Sequence, residues 1–154
     1  MADHEVAQIC PNGHIANSAM LLVPQHNKEY CEKCGEKTLA ACPKCGGTIR
    51  GAGGIGRYDR PAHCRDCGAA YPWTERAMQA AIELFLDETG AQGEEAKAFE
   101  QSVHDVTRQT PAAQVASNRI VKALKKVGTA TATSIREILV GVASEAAKKT
   151  LLGP

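Results

Sequence analysis

Seven cysteines fall in the first half of the chain, and six of them form pairs spaced three apart: Cys31 with Cys34, Cys42 with Cys45, and Cys64 with Cys67. Each pair is followed by a glycine, at Gly35, Gly46 and Gly68. Two cysteines at this spacing on a tight turn can aim both sulfurs at one metal ion. The glycine then takes the left-handed backbone conformation that closes the turn. The seventh cysteine lies in Cys10-Pro11-Asn12-Gly13-His14, which repeats the design with His14 as the second donor. All seven thiols are then used, and two complete four-ligand sets result.

Sequential pairing gives Cys10, His14, Cys31 and Cys34 as one set and Cys42, Cys45, Cys64 and Cys67 as the other. The intervening segments of 16 and 18 residues suit zinc-ribbon hairpins. A cross-braced arrangement, with knuckles alternating between ions, uses the same residues. His26 or His63 could stand in for His14, but Gly13-His14 mimics the other knuckles, whereas His63 directly precedes Cys64 and suits a supporting role beside it. His4 and His104 are expected to face solvent.

Closed, thiolate-rich sites leave no coordination position for water or substrate, so the expected cofactor is zinc, two ions, with a structural role. Iron in a site of four cysteines has the same donor set. Disulfides fit poorly: the count is odd, and the start MADHEVAQIC has neither the basic residues nor the apolar run of a secretory signal. A reducing, cytoplasmic setting is expected. A redox CxxC would need a βαβ context that does not occur here.

Between the third and fourth knuckles, Gly51-Ala52-Gly53-Gly54-Ile55-Gly56 matches the glycine spacing of dinucleotide-binding loops. No helix of useful length can follow before Pro61 and Cys64, so a pyrophosphate would find no helix N-terminus there. Arg50, Arg57 and Arg60 flank the loop with Tyr58 among them. That composition suits a finger contacting nucleic acid, but ribbon hairpins generally need polar tips, and a solvated tip whose charge Asp59 and Asp66 partly offset is the plainer reading.

These residues need elements to position them, and the expected fold class is α+β. A double zinc ribbon of short antiparallel β-hairpins occupies residues 1–73, and a helical domain of about four helices occupies 74–154. Only 4% of the residues are aromatic, so metal ligation must help stabilise the ribbon half. Trp73 is expected to pack at the junction and Thr74 to cap the next helix. Met78, Ile82, Phe85 and Leu86 recur at helical spacing up to Gly90. Phe99, Val103 and Val106 mark a second helix over about 94–109.

Thr110-Pro111 is a cap followed by proline, and Ala116, Ile120, Leu124 and Val127 form the third stripe. Ser134 and Glu137 make a capping box for a last helix with Ile135, Ile138, Leu139, Val142 and Ala146 inside.

Charge is uneven along the chain. Residues 1–73 carry 8 basic and 7 acidic side chains, 74–110 carry 3 and 8, and 111–154 carry 7 and 2. The basic end, with Arg119, Lys122, Lys125 and Lys126 on one helix face, could meet an anionic partner or offset the acidic helices of its own chain. The lysine-tipped terminal helix could lie on a membrane surface. No group of nucleophile, histidine and carboxylate remains beyond the metal ligands, so no enzyme is expected.

The segments ICPNGH, CEKCGEKTLAACPKCGG, PAHCRDCG and YPWTERA, in this order, resemble a bacterial family catalogued as domain of unknown function 2321, and the ASEAAKK stretch extends the resemblance over most of the chain. It implies a bacterial source and a zinc-ribbon N-terminus, and carries no activity with it. The expected function is therefore a non-enzymatic zinc-binding adaptor whose ribbons bind nucleic acid or protein, with a protein partner or a homo-oligomer favoured. The alternative is a membrane-surface or defence-type accessory protein acting through the terminal helix.

Overall fold

The computed structural model describes residues 4–54 and 56–153. The chain divides into two compact units, Met1–Glu75 and Arg76–Pro154.

In the first unit, apolar residues are too few and too scattered for long strands, and the β-structure is correspondingly brief. Strand β1 (Gln8–Ile9) pairs antiparallel with β2 (Ile15–Asn17), with a bulge between Gln8 and Ile9. The other hairpins are closed by single bridges: Tyr30 to Lys37, Ala41 to Thr48 and His63 to Ala70, each spanning one CxxC knuckle. Ile9 also bridges to Leu39, and Val6 to Arg50, which draws the first segment alongside the second and third.

Ala7, Ile9, Cys10 and Ile49 are fully buried at the centre, joined by Tyr71 and Trp73. These two rings stack with centroids 4.6 Å apart, and the indole Nε1 donates to the Pro61 carbonyl at 2.9 Å. A large aromatic thus fills the core while its polar edge remains satisfied.

Helix α1 (Pro72–Thr89) begins before Thr74. The amide of Glu75 donates to the Tyr71 carbonyl, so Tyr71 stands at the cap position and Pro72 opens the first turn, where a missing N–H costs nothing. Thr74 does not cap the helix. Its hydroxyl donates to the Ala62 carbonyl at 2.8 Å and anchors the turn to the fourth knuckle segment.

Among the described residues five α-helices run from Pro72 onward, where periodicity predicts about four. After α1 come α2 (Gly93–Val106), α3 (Pro111–Ala123) extended by a 3-10 turn at Leu124–Lys126, α4 (Thr129–Val140) and α5 (Glu145–Leu152). Thr110 takes the N-cap position and Pro111 the first turn of α3, although the Thr110 hydroxyl makes no capping hydrogen bond.

The expected last helix is two. Its first part starts at Thr129, five residues before the Ser134 box, because Glu88 of α1 supplies the cap. Its carboxylate accepts from the Gly128 amide at 2.9 Å and the Thr131 hydroxyl at 3.2 Å. Helix α4 ends at Val140 with Gly141 at its C-cap, and the Ser144 amide, instead of continuing a helix, donates to the carbonyl of buried Val106 at 2.8 Å. This break shifts the phase of the apolar stripe, so Ala147 and Leu151 are buried and Ala146 is exposed. The core gathers Phe85, Phe99, Val103, Val106, Ile120, Ile135 and Leu139, with Phe85 and Phe99 stacked at 3.9 Å.

Candidate metal centres

Four turns of nearly one design carry the ligands. In the three CxxCG knuckles the glycine amide donates back to the first cysteine's carbonyl: Gly35 to Cys31 at 2.9 Å, Gly46 to Cys42 at 2.9 Å, and Gly68 to Cys64 at 2.8 Å. These glycines have φ between 75° and 78°, where a side chain would be strained. In the first turn the order is reversed. Gly13, at φ 90°, comes three residues after Cys10, and the donor follows at His14. The Cys10 amide in turn donates to the His14 carbonyl at 3.0 Å, so a one-residue-longer turn still returns its second ligand to the first.

These turns bring together Cys10, His14, Cys31 and Cys34 in one cluster and Cys42, Cys45, Cys64 and Cys67 in another. Within each cluster all four donor atoms lie within 4.8 Å of one another. The grouping is the sequential one. His14 presents Nδ1 at 3.4 Å from both Cys10 Sγ and Cys31 Sγ. His26 lies exposed in a 3-10 turn, and His63 sits in the bridge beside Cys64.

Donor chemistry and spacing fit a tetrahedral ion. With zinc–sulfur bonds of about 2.3 Å, tetrahedral sulfurs are about 3.8 Å apart, and a sulfur and a histidine nitrogen about 3.6 Å. The sulfurs of Cys42 and Cys67 are 3.8 Å apart, those of Cys45 and Cys64 3.6 Å, and those of Cys34 and Cys10 3.6 Å. A disulfide, at about 2.05 Å, is excluded for all seven cysteines.

The surroundings split each cluster into thiols held low and thiols held high. Burial raises Cys10, and at Cys45 the Gly47 amide is outweighed by burial and by the hydrogen bonds to Cys64, Cys67 and Cys42, which push it up to about 12. Backbone amides point at sulfur from His14 to Cys10 at 3.3 Å, and from Lys33 to Cys31, Gly47 to Cys45 and Asp66 to Cys64 at 3.4 Å each. The Asn12 side chain, followed by the Glu36 amide, brings the Cys34 thiol down to about 6. At Cys64 burial opposes the charge, but the amides of Cys67 and Asp66 together with hydrogen bonds from the Cys45 and Cys42 thiols outweigh it, and the thiol also falls to about 6. Asn12 Nδ2 donates to Glu36 at 2.7 Å, pinning the two knuckles of the first cluster together.

Residues 3–151 match the family described as an uncharacterized protein conserved in bacteria (DUF2321). The chain belongs to that family. No curated protein and no solved structure matches it. The match spans both units, so the clusters and the helices belong to one bacterial family unit.

The basic loop is partly tied back, through Tyr58 and Arg60, while Arg50 and Arg57 are exposed. Arg50, Arg57 and Tyr58 line a polar hollow of about 270 Å³ with the loop glycines, while Ile55 lies outside the described residues. The Tyr58 hydroxyl donates to the Arg50 carbonyl at 2.5 Å, and burial raises its phenol to about 12. Arg57 pairs with Asp59 at 3.4 Å. Arg60 leaves the loop altogether and donates to the Gly13 carbonyl in the first knuckle.

Gly51 has a packing role, since a Cβ there would stand 2.4 Å from the Ser18 carbonyl oxygen. The first helix after the loop is α1, which starts only at Pro72, so no helix opens directly from the glycines as the dinucleotide motif would require.

One feature escapes the spacing of the motifs. Leu21 and Leu22 are 65% and 77% exposed. They ride on a loop held by Asn17, whose Nδ2 donates to the Val23 carbonyl at 2.9 Å and to Asn27 at 2.7 Å, and whose Oδ1 accepts from the Ala19 amide at 3.0 Å. The Leu21 amide donates to Glu5 at 3.0 Å. The sequence signal was present as two adjacent leucines in a segment without periodicity.

Proposed function

We propose that the chain is a non-catalytic adaptor in which two structural zinc ions hold the first unit rigid, and that this unit docks on a protein through the Leu21–Leu22 tip. The observation that carries the zinc reading is the closure of both clusters: four donors each, no fifth position, and every cysteine engaged. Zinc is preferred to iron because a histidine completes the first set, and mixed sulfur and nitrogen donors suit zinc. Seven cysteines free of disulfides suit a cytoplasmic setting.

A protein partner is favoured over nucleic acid by the use already made of the basic loop. Tyr58 and Arg60 are tied to backbone carbonyls and Asp59 offsets Arg57, so of the four loop residues Arg50 and the exposed Arg57 are what a phosphate could meet. Two exposed leucines on a hydrogen-bonded loop form a preorganised apolar anchor, which loses little entropy on docking. The alternative of a membrane surface draws less support, because α5 buries Ala147 and Leu151 within the helical unit. No helix among the described residues is long and apolar enough to cross a membrane.

The test combines metal content and crosslinking. Elemental analysis of the native protein should give two zinc ions per chain, and iron in their place would overturn the zinc assignment. A photo-reactive residue at position 22, introduced in a bacterial host that carries this protein, should yield one discrete adduct that Leu21→Ser abolishes. Adducts only with itself would make the protein a homo-oligomer. Salt-sensitive retention on single-stranded RNA, lost in an Arg50→Ala, Arg57→Ala variant, would replace the protein partner with nucleic acid.

A further inference from the structure

Helices α2 and α3 pack side by side, and a cavity of about 230 Å³ remains between them in the second unit. From α2, Ala98 and Phe99 line it. From α3, Arg119 and Lys122 do. Arg119 and Lys122 stand three residues apart and share a helix face. At the base lie Ala98, Ala123 and the edges of Phe85 and Phe99, two rings from α1 and α2 that stack on each other and are almost wholly buried. The cavity is thus apolar at its base and cationic at its mouth.

The polar groups around the cavity are unequal. Ser102 donates its hydroxyl to the Ala98 carbonyl at 2.9 Å. Lys126 and Glu95 face each other across the groove at 2.5 Å and offset one another. Arg119 and Lys122 form no ion pair among the described residues, and both are exposed at the rim. Two unopposed cations above an apolar base select a ligand with an apolar body and one anionic end.

We propose that this groove binds a small amphiphilic carboxylate, its ring or short acyl body against Ala98, Ala123 and the edges of Phe85 and Phe99 and its carboxylate between Arg119 and Lys122. Guanidinium and carboxylate match as paired donors and acceptors, and the apolar base favours a flat or flexible apolar group. The size sets an upper limit. Drug-sized ligands occupy pockets of about 300–1,000 Å³, so one or two rings, or an acyl chain of similar bulk, is the fitting class. The site is separate from the metal clusters and from the Leu21–Leu22 tip, and its existence does not depend on either.

The experiment is calorimetric titration of the full zinc-loaded chain with naphthoate and with its neutral isostere naphthamide. Naphthoate should bind one per chain and bind more tightly than naphthamide. The double substitution Arg119→Gln, Lys122→Gln should weaken naphthoate about three- to tenfold and leave naphthamide unchanged, as expected for rim charges. Both positions are exposed, so the fold should persist, and far-ultraviolet circular dichroism checks that it does.

Ala98→Leu, which adds bulk at the groove, should weaken both ligands. Equal binding of the two ligands by the wild-type chain would remove the role of the cations. Binding of naphthoate that Ala98→Leu leaves untouched would place the ligand elsewhere, and no saturable binding would refute the site. Flotation with anionic vesicles that requires Arg119 and Lys122, without naphthoate binding, would overturn the small-ligand reading in favour of a lipid surface.

Discussion

The guanidinium of Arg60 donates to the backbone carbonyl of Gly13, 47 residues earlier, inside the first metal-binding turn. Arg60 is half-buried, and burial lowers its pKa, while the adjacent Cys10 thiol favours its charge. A residue that composition offers to nucleic acid is in fact a brace between the basic loop and the first cluster.

Arg60→Ala should therefore act on stability and metal retention. A charge-assisted hydrogen bond to a buried carbonyl is lost, and the expected cost is about 1–3 kcal/mol in denaturant unfolding of the zinc-loaded chain. A competing chelator should strip the first ion sooner than in the wild type and the second at an unchanged rate. Unaltered stability would show that the brace contributes nothing.

The ligand sets make a counting prediction. His14→Ala should lower zinc content toward one ion per chain, and His14→Cys should keep it at two, because thiolate replaces nitrogen in the same tetrahedron. His26→Ala and His63→Ala should leave two ions. Cys67→Ser should empty the other cluster, so that His14→Ala and Cys67→Ser together retain none. Elemental analysis of each purified variant decides the matter.

The metal sets were legible in the residues because a CxxCG knuckle is a local object, and its chemistry and turn geometry sit in five consecutive positions. Helix starts whose signals are local, such as Thr110-Pro111, were legible for the same reason. What was not legible depends on distant partners. The start of α4 at Thr129 is fixed by Glu88, 40 residues before Gly128. Its separation from α5 is supported by a bond from Ser144 to Val106. Thr74 carries a good capping side chain, yet Ala62 claims its hydroxyl and Pro72 starts the helix ahead of it.

The Glu88 cap can be tested directly. Glu88→Ala removes both acceptors at the N-terminus of α4 and the negative charge that its dipole favours, at an expected cost of about 0.5–2 kcal/mol. Amide exchange at Ala130 to Ala132 should accelerate more than exchange in α2. Glu88→Gln should recover part of the loss, because one carbonyl oxygen still accepts while the charge is gone.

Tyr58 provides a pH reporter for the basic loop. Its phenol is raised by burial to about 12 from the ordinary 10, so the neutral form is the one the fold favours. The stabilisation is therefore fully present below pH 10 and is lost as pH rises through about 12. Difference absorbance between wild type and Tyr58→Phe should isolate a phenolate transition near that upper value. The same variant gives up the hydrogen bond to the Arg50 carbonyl, at about 0.5–1.5 kcal/mol. A transition at the ordinary value would mean that the ring stands free of the loop.

Removal of metal should separate the two units. The first has few buried apolar side chains, and thiol clusters supply much of what holds its turns together. The second has its own core of Phe85, Phe99, Ile120, Ile135 and Leu139. Where a site forms only in the folded state, the free energy of metal binding is also free energy of folding. A strong chelator should therefore abolish amide protection around the four knuckles and leave α2 to α5 protected, with helical circular dichroism largely retained. Simultaneous loss of both would show that the helices depend on the metal-bound unit for their own stability.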